Sequence, residues 1–415
     1  LSIYLIMSYQ YCLSINTKIF FEYMNTRYSA VALLLFIIAG CQKKEAKQTF
    51  RAVVESLDKI EGLEVLRNGN AMVAVSGPYQ GRVFTSSSQG MDGRAYGYIN
   101  QKVIDAGNSS ENMAALCGES RMWFGPQYGE YSIFFDPGDP QIDEYSQISP
   151  DLNHKKFRQL ERTANTLTYG NDMNIRNAAG YVFELYAERK ISLLGTSTIE
   201  QKLGVNLSDE ISSVGFSAET TIRNIGNEQW KKENGLLGIW ELGCMLTSPD
   251  NLVIIPMARN TDSITTYFTP AEERIKIEDQ VLYYKADARY MNKIGLLPRY
   301  CKNIMGSYSH TDKQLNIVTF TLADEPDLRY VNSVPDNKDP YAGDIINIFN
   351  GEVNVSMDYK WPFYEFESSS SAKELRPDEQ LHHKQTTFHF EGSVEALNRI
   401  SQKVLGVDLK RIPDF

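Results

Sequence analysis

The first clear β pattern in the sequence is Ala71-Met72-Val73-Ala74-Val75-Ser76-Gly77-Pro78-Tyr79-Gln80-Gly81-Arg82-Val83-Phe84-Thr85. Its two ends, residues 71–75 and 82–85, are short and rich in apolar residues, as β-strands are. Gly77-Pro78 between them is a turn signal. The stretch therefore predicts a β-hairpin.

Segments of the same kind recur along the rest of the chain. We predict further strands at residues 131–135, 180–194, 214–223, 252–257, 274–285, 315–322, 353–357, 363–367 and 385–390. Apolar residues recur three and four positions apart in residues 50–60 and 394–405, which predicts a helix in each segment. Ser393 and Gly406 would cap the second helix. Many strands and few helices predict an all-β fold, a large antiparallel β-sandwich with short N- and C-terminal helices.

The amino-terminal region has the features of an export signal. Arg27 precedes an apolar run, residues 30–38, which ends in Ala39-Gly40-Cys41. The run is too short for a membrane-spanning helix, which needs about 20 residues, but it suits a signal peptide. Ile38-Ala39-Gly40-Cys41 resembles the lipobox of bacterial lipoproteins, in which the cysteine is lipidated and becomes the first residue. A free Cys41 beside an ordinary signal peptide is the alternative.

These features divide the chain into three parts. Residues 1–40 would be an upstream extension and the signal peptide, with Met24 as the natural start and Met7 as the weaker one. Residues 41–48 would be the lipidated Cys41 and its tether, and residues 49–415 a single β-sandwich domain. We expect a lipid-anchored protein of the cell envelope, on the periplasmic face or the outer-membrane surface; the leaflet and the oligomeric state stay open.

Charge and cysteine content narrow the possible partners. The chain has a formal net charge of −10 and no block of basic residues, which argues against a nucleic-acid partner. Beyond Cys41 only Cys117, Cys244 and Cys301 remain. They are too few and too widely spaced for a disulfide framework or a structural zinc site, and at most one pair could bridge. We interpret them as small buried residues and expect no metal and no cofactor.

Two stretches carry candidate binding residues. In the first, residues 118–126, alternation along a strand would place Glu119, Arg121 and Trp123 on one face. A carboxylate, a guanidinium and an indole together suit sugar recognition; an internal ion pair beside a core tryptophan is the alternative. In the second, Glu365 and Glu367 would share one side of a strand, where each raises the pKa of the other. Such a pair can supply an acid or a base, although a solvated acidic face is equally open.

A third stretch contains Leu375-Arg376-Pro377-Asp378-Glu379, His382-His383 and Phe388-His389-Phe390. Adjacent histidines on a strand point in opposite directions, so they are poor joint metal ligands. The chain has no HExxH motif, no phosphate-binding glycine loop and no Gly-x-Ser-x-Gly elbow. These absences count against a metalloprotease, a nucleotide-dependent enzyme and a serine hydrolase.

Residues 118–135 and 363–390 resemble a family of uncharacterised bacterial lipoproteins that is similar to the aldose 1-epimerase (galactose mutarotase-like) superfamily. The resemblance implies an antiparallel β-supersandwich with a concave sugar-binding face. It implies a catalytic glutamate at Glu365 or Glu367, followed by the Leu-x-Pro-Gly-Glu pattern that ends here in Asp378-Glu379. The Asn-His-aromatic motif of mutarotases is missing, so a histidine acid would have to come from elsewhere, with His389 one candidate.

These observations favour a carbohydrate-binding lipoprotein of the cell envelope. An aldose 1-epimerase or glycan-processing enzyme and a non-catalytic structural envelope protein are the alternatives. We expect Glu119, Arg121, Trp123 and His389 to contact the sugar and Glu365 or Glu367 to act as the catalytic group. Arg121, Trp123 and one of these glutamates should lie within about 10 Å of one another on one concave surface that is partly open to solvent.

Overall fold

Antiparallel strands dominate the computed structural model, which describes residues 48–111, 113–261, 263–323, 329–353 and 361–415. Residues 48–415 form one compact unit. The predicted signal peptide and Cys41 lie outside the described residues. Within the described residues the strands form three sheets, of three, ten and six strands.

The three-stranded sheet has the order β1-β2-β3 and contains the predicted hairpin. Its strands are β1 (Leu63–Asn68), β2 (Ala71–Ser76) and β3 (Arg82–Ser87).

The ten-stranded sheet has the order β12-β13-β10-β15-β16-β19-β8-β7-β6-β5. Its strands are β5 (Arg158–Arg162), β6 (Thr166–Arg176), β7 (Val182–Leu193), β8 (Ser212–Asn224), β10 (Leu252–Pro256), β12 (Ile275–Glu278), β13 (Val281–Lys285), β15 (Ile304–Ser309), β16 (Gln314–Phe320) and β19 (Gln380–Glu391).

The six-stranded sheet has the order β11-β14-β17-β18-β9-β4. Its strands are β4 (Arg121–Gly125), β9 (Gly238–Leu246), β11 (Thr265–Tyr267), β14 (Arg289–Leu296), β17 (Ile346–Glu352) and β18 (Phe363–Ser369).

The helices are short and lie between or beside the sheets. The α-helices are α1 (Phe50–Ser56), α2 (Gln101–Asp105), α3 (Pro150–His154), α4 (Thr196–Leu203) and α5 (Val394–Val404), and the 3-10 helices are Met113–Leu116, Asp143–Tyr145, Lys232–Asn234, Glu272–Arg274 and Pro298–Tyr300. The two predicted helices are confirmed. Ser393 caps α5 by accepting a hydrogen bond from the Ala396 N–H, and Gly406 follows with a φ of 73°.

The six-stranded and ten-stranded sheets pack face to face. Inward residues of β17 and β18, such as Ile348 and Phe366, share one buried cluster with Val253 and Val318 of the ten-stranded sheet. Removing such side chains from water is the main favourable contribution to folding, at about 25 cal/mol for each Å² of apolar surface. The molecule is therefore an all-β antiparallel sandwich with few short helices, as the sequence predicts.

Two predicted strands differ in detail from the strands of the structure. Residues 131–135 are not a strand, because turn hydrogen bonds such as Ile133 N–H to Pro126 O hold them in a bent, buried path. Residues 274–285 form the hairpin β12–β13, since Asp279 and Gln280 take positive φ angles. Of the strand predicted at 353–357, residues 354–357 lie outside the described part, so that strand stays a prediction; β17 ends just before it, at Glu352.

Candidate functional site

The outer face of the six-stranded sheet brings polar side chains together from all six strands. Residues directly opposite each other in an antiparallel ladder point to the same side. The ladders align one row across the sheet: Gly295, Asn347, Glu367, Leu242 and Arg121. The neighbouring row consists of Tyr267, Lys293, Phe349, Glu365 and Cys244. Glu365 and Glu367 therefore share the outer side of β18, while Tyr364 and Phe366 point into the core.

A buried ion pair forms the centre of this face. The Lys293 Nζ lies 2.7 Å from Oε2 of Glu367, and the Trp240 Nε1–H donates to the same oxygen at 2.9 Å. The side chains of Lys293 and Glu367 are only 10% and 1% exposed. The ammonium also lies 4.6 Å from the Trp240 ring centre and 5.5 Å from that of Tyr267. These two rings and the carboxylate stabilise a cation that would otherwise be costly to bury.

Glu367 has the properties of an acid–base group. Burial raises the pKa of its carboxyl, the Lys293 ammonium opposes that rise, and the negative charge of Glu365 adds to it. Within the described residues, its second oxygen, Oε1, has no hydrogen-bond partner. A buried polar atom without a partner carries a desolvation cost of about 1–3 kcal/mol. A ligand hydroxyl could remove that cost.

A second carboxyl group lies beside this pair. Asp344 accepts hydrogen bonds from the Tyr267 hydroxyl at 2.9 Å and from the Thr265 hydroxyl at 3.0 Å. Burial raises the pKa of Asp344, and these two hydrogen bonds and Lys293 act against the rise. Gly295 makes room for the carboxyl, since a Cβ there would lie 2.1 Å from Oδ2 of Asp344.

These residues line a narrow cleft of about 20 Å³, which in this structure has room for about one water molecule. Its polar and aromatic lining includes Gln127, Trp240, Tyr267, Lys293, Asp344 and Asn347. Glu367 lies directly behind two of them, Lys293 and Trp240. The cleft therefore contains two aromatic rings, two side-chain amides and one ammonium group, whose charge is neutralised by Glu367.

Arg121, Trp123 and Glu365 lie on the same face beside the cleft. The Arg121 Nη2 is 2.9 Å from Oε1 of Glu365, and the guanidinium is 4.8 Å from the Trp123 ring centre. The half-buried Trp123 meets Trp240 edge to face, with ring centres 5.8 Å apart. The structure thus brings Arg121, Trp123 and the two glutamates together. The expected openness to solvent is wrong for the ion pair, because each of its side chains is only 9% exposed.

Glu119 and His389 lie elsewhere. Oε1 of Glu119 is 2.7 Å from Nε2 of His389, and both side chains are completely buried. His389 also contacts Asn316 at 2.7 Å on the ten-stranded sheet and stacks on Tyr96. The expectation that Glu119 shares a face with Arg121 is wrong, because Glu119 precedes β4 and its side chain lies between the sheets. Glu119 and His389 therefore belong to the interior of the sandwich.

The sequence analysis did not identify most of the cleft. It overlooked Trp240, Tyr267, Lys293, Asp344 and Asn347, which lie on different strands and loops. One signal was available: Lys293 is a single cation in the largely apolar end of β14. None of the described histidines lines the cleft, and the described residues contain no group of three or more side chains suited to a metal ion. Among the described helices, none has both the length and the apolar character needed to cross a bilayer.

Comparison with known proteins gives a family and several structural neighbours. The model of a family of unknown function (DUF6786) matches residues 48–415, whereas no curated protein matches the chain. An inferred aldose 1-epimerase from Escherichia coli K12 is similar in structure, with a TM-score of 0.48, 10% identity and coverage of 80% of this chain and 99% of that one.

Two lactobacillus proteins, each 10% identical to this chain, are also structural neighbours. For a galactose mutarotase-like protein from Lactobacillus casei, the TM-score is 0.43, with 80% and 99% coverage of this chain and of that one. For a galactose mutarotase related enzyme from Lactobacillus acidophilus, the values are 0.43, 80% and 97%. Likenesses at this level carry no conclusion about activity, so function rests on the cleft.

Proposed function

The chain belongs to DUF6786, a family of unknown function, and we propose that it binds a sugar in the cleft beside Lys293 and Glu367. The observation that carries the proposal is Glu367 itself. Its carboxyl is buried and fixed by Lys293 and Trp240 through one oxygen, while the other oxygen lacks a partner within the described residues. Lys293 lines the cleft in front of Glu367, so a ligand that displaced the Lys293 side chain would place a hydroxyl next to this carboxyl.

The rest of the lining suits the same ligand. Small-molecule sites combine apolar or aromatic walls with a few placed polar groups. Trp240 and Tyr267 supply rings, and Gln127 and Asn347 supply amides that both donate and accept hydrogen bonds. A sugar presents C–H faces to the rings and hydroxyls to the amides, so its two kinds of surface match the two kinds of lining.

The charge of the cleft favours an uncharged sugar. Glu367 already neutralises Lys293, and Asp344 adds a carboxyl rather than a cation. Arg121, the next cation on this face, is paired with Glu365. A phosphorylated or acidic sugar would therefore meet no surplus positive charge among these groups.

The test is a titration of the purified full chain with a panel of neutral monosaccharides and short glycans, in which tryptophan fluorescence reports binding. Trp240 lines the cleft, and Trp123 packs edge to face against Trp240, so a bound sugar should change the emission. The Lys293→Met/Glu367→Gln double variant should lose at least ten-fold in affinity, because one charged hydrogen bond to a ligand contributes about 1.5–3 kcal/mol. Removing both charges together leaves no unpaired buried ion.

A matched control is the Glu395→Gln/Lys410→Met double variant. It removes a charge pair of 3.1 Å whose side chains are more than half exposed, and it should bind like the parent. Binding that is unchanged in the Lys293/Glu367 double variant, or no sugar binding by the parent protein, would contradict the proposal.

A second candidate is an aldose 1-epimerase-like proton transfer. The raised pKa of Glu367 favours it, because a catalytic acid or base works best with a pKa near the working pH. Glu365 is the weaker catalytic candidate, since Arg121 and the Cys244 thiol both bond its Oε1. Polarimetry of freshly dissolved sugars tests this candidate: the parent should speed the approach to anomeric equilibrium, and Glu367→Gln should abolish the effect.

We also propose that the protein works in the cell envelope, held by lipid on Cys41. The proposal rests on the apolar run at 30–38 and on Ala39-Gly40-Cys41, which is the pattern of a lipidated export signal. A sugar-binding domain on such an anchor would meet glycans outside the cytoplasm.

A further inference from the structure

Two cysteines that are far apart in sequence lie side by side at the edge of the six-stranded sheet. Cys244 is on β9, and Cys117 immediately precedes the turn into β4. The Cys244 N–H donates to Gly118 O at 2.9 Å, and the Tyr98 N–H donates to Cys244 O at 2.9 Å. Gly118 in turn donates to Tyr98 O at 2.9 Å. Three backbone hydrogen bonds thus hold the two segments in fixed positions.

The two side chains meet inside the protein. Cys117 and Cys244 are 7% and 0% exposed and share a small buried cluster with Phe349 and Phe363. Burial raises the pKa of the Cys244 thiol, and a hydrogen bond with the Cys117 side chain raises it further. The Cys244 thiol also donates to Oε1 of Glu365 at 3.0 Å. Both cysteines are free thiols in this structure.

We propose that Cys117 and Cys244 are a redox pair that closes to a disulfide when the chain meets an oxidant of the disulfide class. One cysteine loses its proton and attacks a sulfur of the oxidant, which releases the first thiol. The second cysteine then loses its proton and attacks the protein sulfur of that mixed disulfide. This step forms the Cys117–Cys244 bond and releases the oxidant's second thiol. The oxidant takes up two electrons, and the two protons end on the two released thiols.

This bond would tie the segment before β4 to β9 and would close a long loop of chain. A disulfide that closes a long loop restricts the unfolded chain and so raises the stability of the fold. It would also remove the thiol hydrogen bond to Glu365 and leave Arg121 as the charged partner of that carboxylate. The proposal does not depend on sugar binding, since it concerns the framework behind the binding face.

Cys301 is a matched internal control. It is also buried, at 4% exposed, but its thiol donates to the backbone oxygen of Leu297, and it packs in a different cluster. An oxidant that reaches buried thiols at random would modify Cys301 as readily as the other two.

The experiment uses the purified full chain in buffers of reduced and oxidised glutathione, both in the native state and during refolding from denaturant. Free thiols are then alkylated in denaturant, and peptides are mapped by mass spectrometry before and after reduction. The peptides of Cys117 and Cys244 should appear joined, with a mass lower by two hydrogen atoms, while Cys301 is alkylated. Reductant should also lower the thermal midpoint of the oxidised parent, but not that of Cys117→Ala/Cys244→Ala.

Two variants sharpen the result. Cys244→Ala should restore full alkylation of Cys117, and Cys301→Ala should leave the joined peptides unchanged. The proposal is overturned if Cys117 and Cys244 are alkylated as fully as Cys301 after refolding in oxidised buffer. It is equally overturned if they carry only glutathione or pair with other cysteines.

Discussion

The Lys293 ammonium lies 2.7 Å from the Glu367 carboxylate and is almost sealed from solvent by its surroundings. Removing one partner of a buried pair leaves an uncompensated charge, which typically costs about 3–5 kcal/mol. We therefore expect Glu367→Gln to lower the free energy of unfolding by about 3 kcal/mol, measured by urea denaturation. The Lys293→Met/Glu367→Gln double variant should recover most of that loss. Equal stability of the parent and the single variant would show that the pair is not buried as described.

The Arg189–Glu241 pair should be the most costly ion pair to break. Both side chains are completely buried, and Arg189 also donates to the Thr220 hydroxyl at 3.0 Å and to the Ser120 hydroxyl at 2.7 Å. Arg189→Leu leaves the Glu241 carboxylate unpaired in the core, so we expect a loss of about 3–5 kcal/mol in denaturant unfolding. As a control, Arg51→Ala breaks an exposed pair with Asp92 and should leave the free energy of unfolding nearly unchanged, because solvent screens such pairs.

His383 should make the protein less stable as the pH falls. Burial lowers the pKa of His383 to about 3, while in the unfolded chain it is near 6.5. Between these values the unfolded chain binds the proton and the folded chain does not, so stability falls from pH 6.5 towards pH 3. One such group contributes at most about 1.4 kcal/mol per pH unit.

The measurement is the free energy of unfolding of His383→Leu against that of the parent at several pH values. The variant should lose less stability than the parent on going from pH 7 to pH 4. His154→Gln, at an exposed residue, should follow the parent. A steeper acid loss in His383→Leu than in the parent would contradict the assignment.

Lipidation at Cys41 can be tested by cell fractionation. Cys41→Ser removes the sulfur that would carry the lipid, so we expect the variant to leave the detergent phase and to lack an acyl chain by mass spectrometry. Conservative changes in the tether, such as Lys43→Arg, should have no effect. Unchanged membrane retention of Cys41→Ser would count against the lipoprotein assignment.

The side of a strand on which each side chain lies could be predicted from the sequence, but the contacts between different strands could not. Glu365 and Glu367 are two residues apart on β18, so their common side follows from the period of a strand. Lys293 and Glu367 are 74 residues apart, on strands separated by β17. Nothing local in the sequence indicates that register.

The side predicted for Glu119 from the alternation of side chains was wrong, because β4 begins later than expected. Residue 119 lies in a bend, and β4 starts only at Arg121. A period of two cannot be extended backwards from Arg121 through such a bend, and Glu119 therefore points between the sheets. The overall fold class was predictable because it depends on the number of strands, not on any one boundary.

The two sides of β18 lie in different surroundings, since Tyr364 and Phe366 pack in the core while Glu365 and Glu367 face outwards. Inserting or deleting one residue in this strand would turn both carboxylates into the core and both rings outwards. Changes in the length of β18 should therefore be tolerated only two residues at a time. Members of this family should then diverge by substitution along the strand and by insertion in the flanking loops, while the length of the strand itself stays fixed.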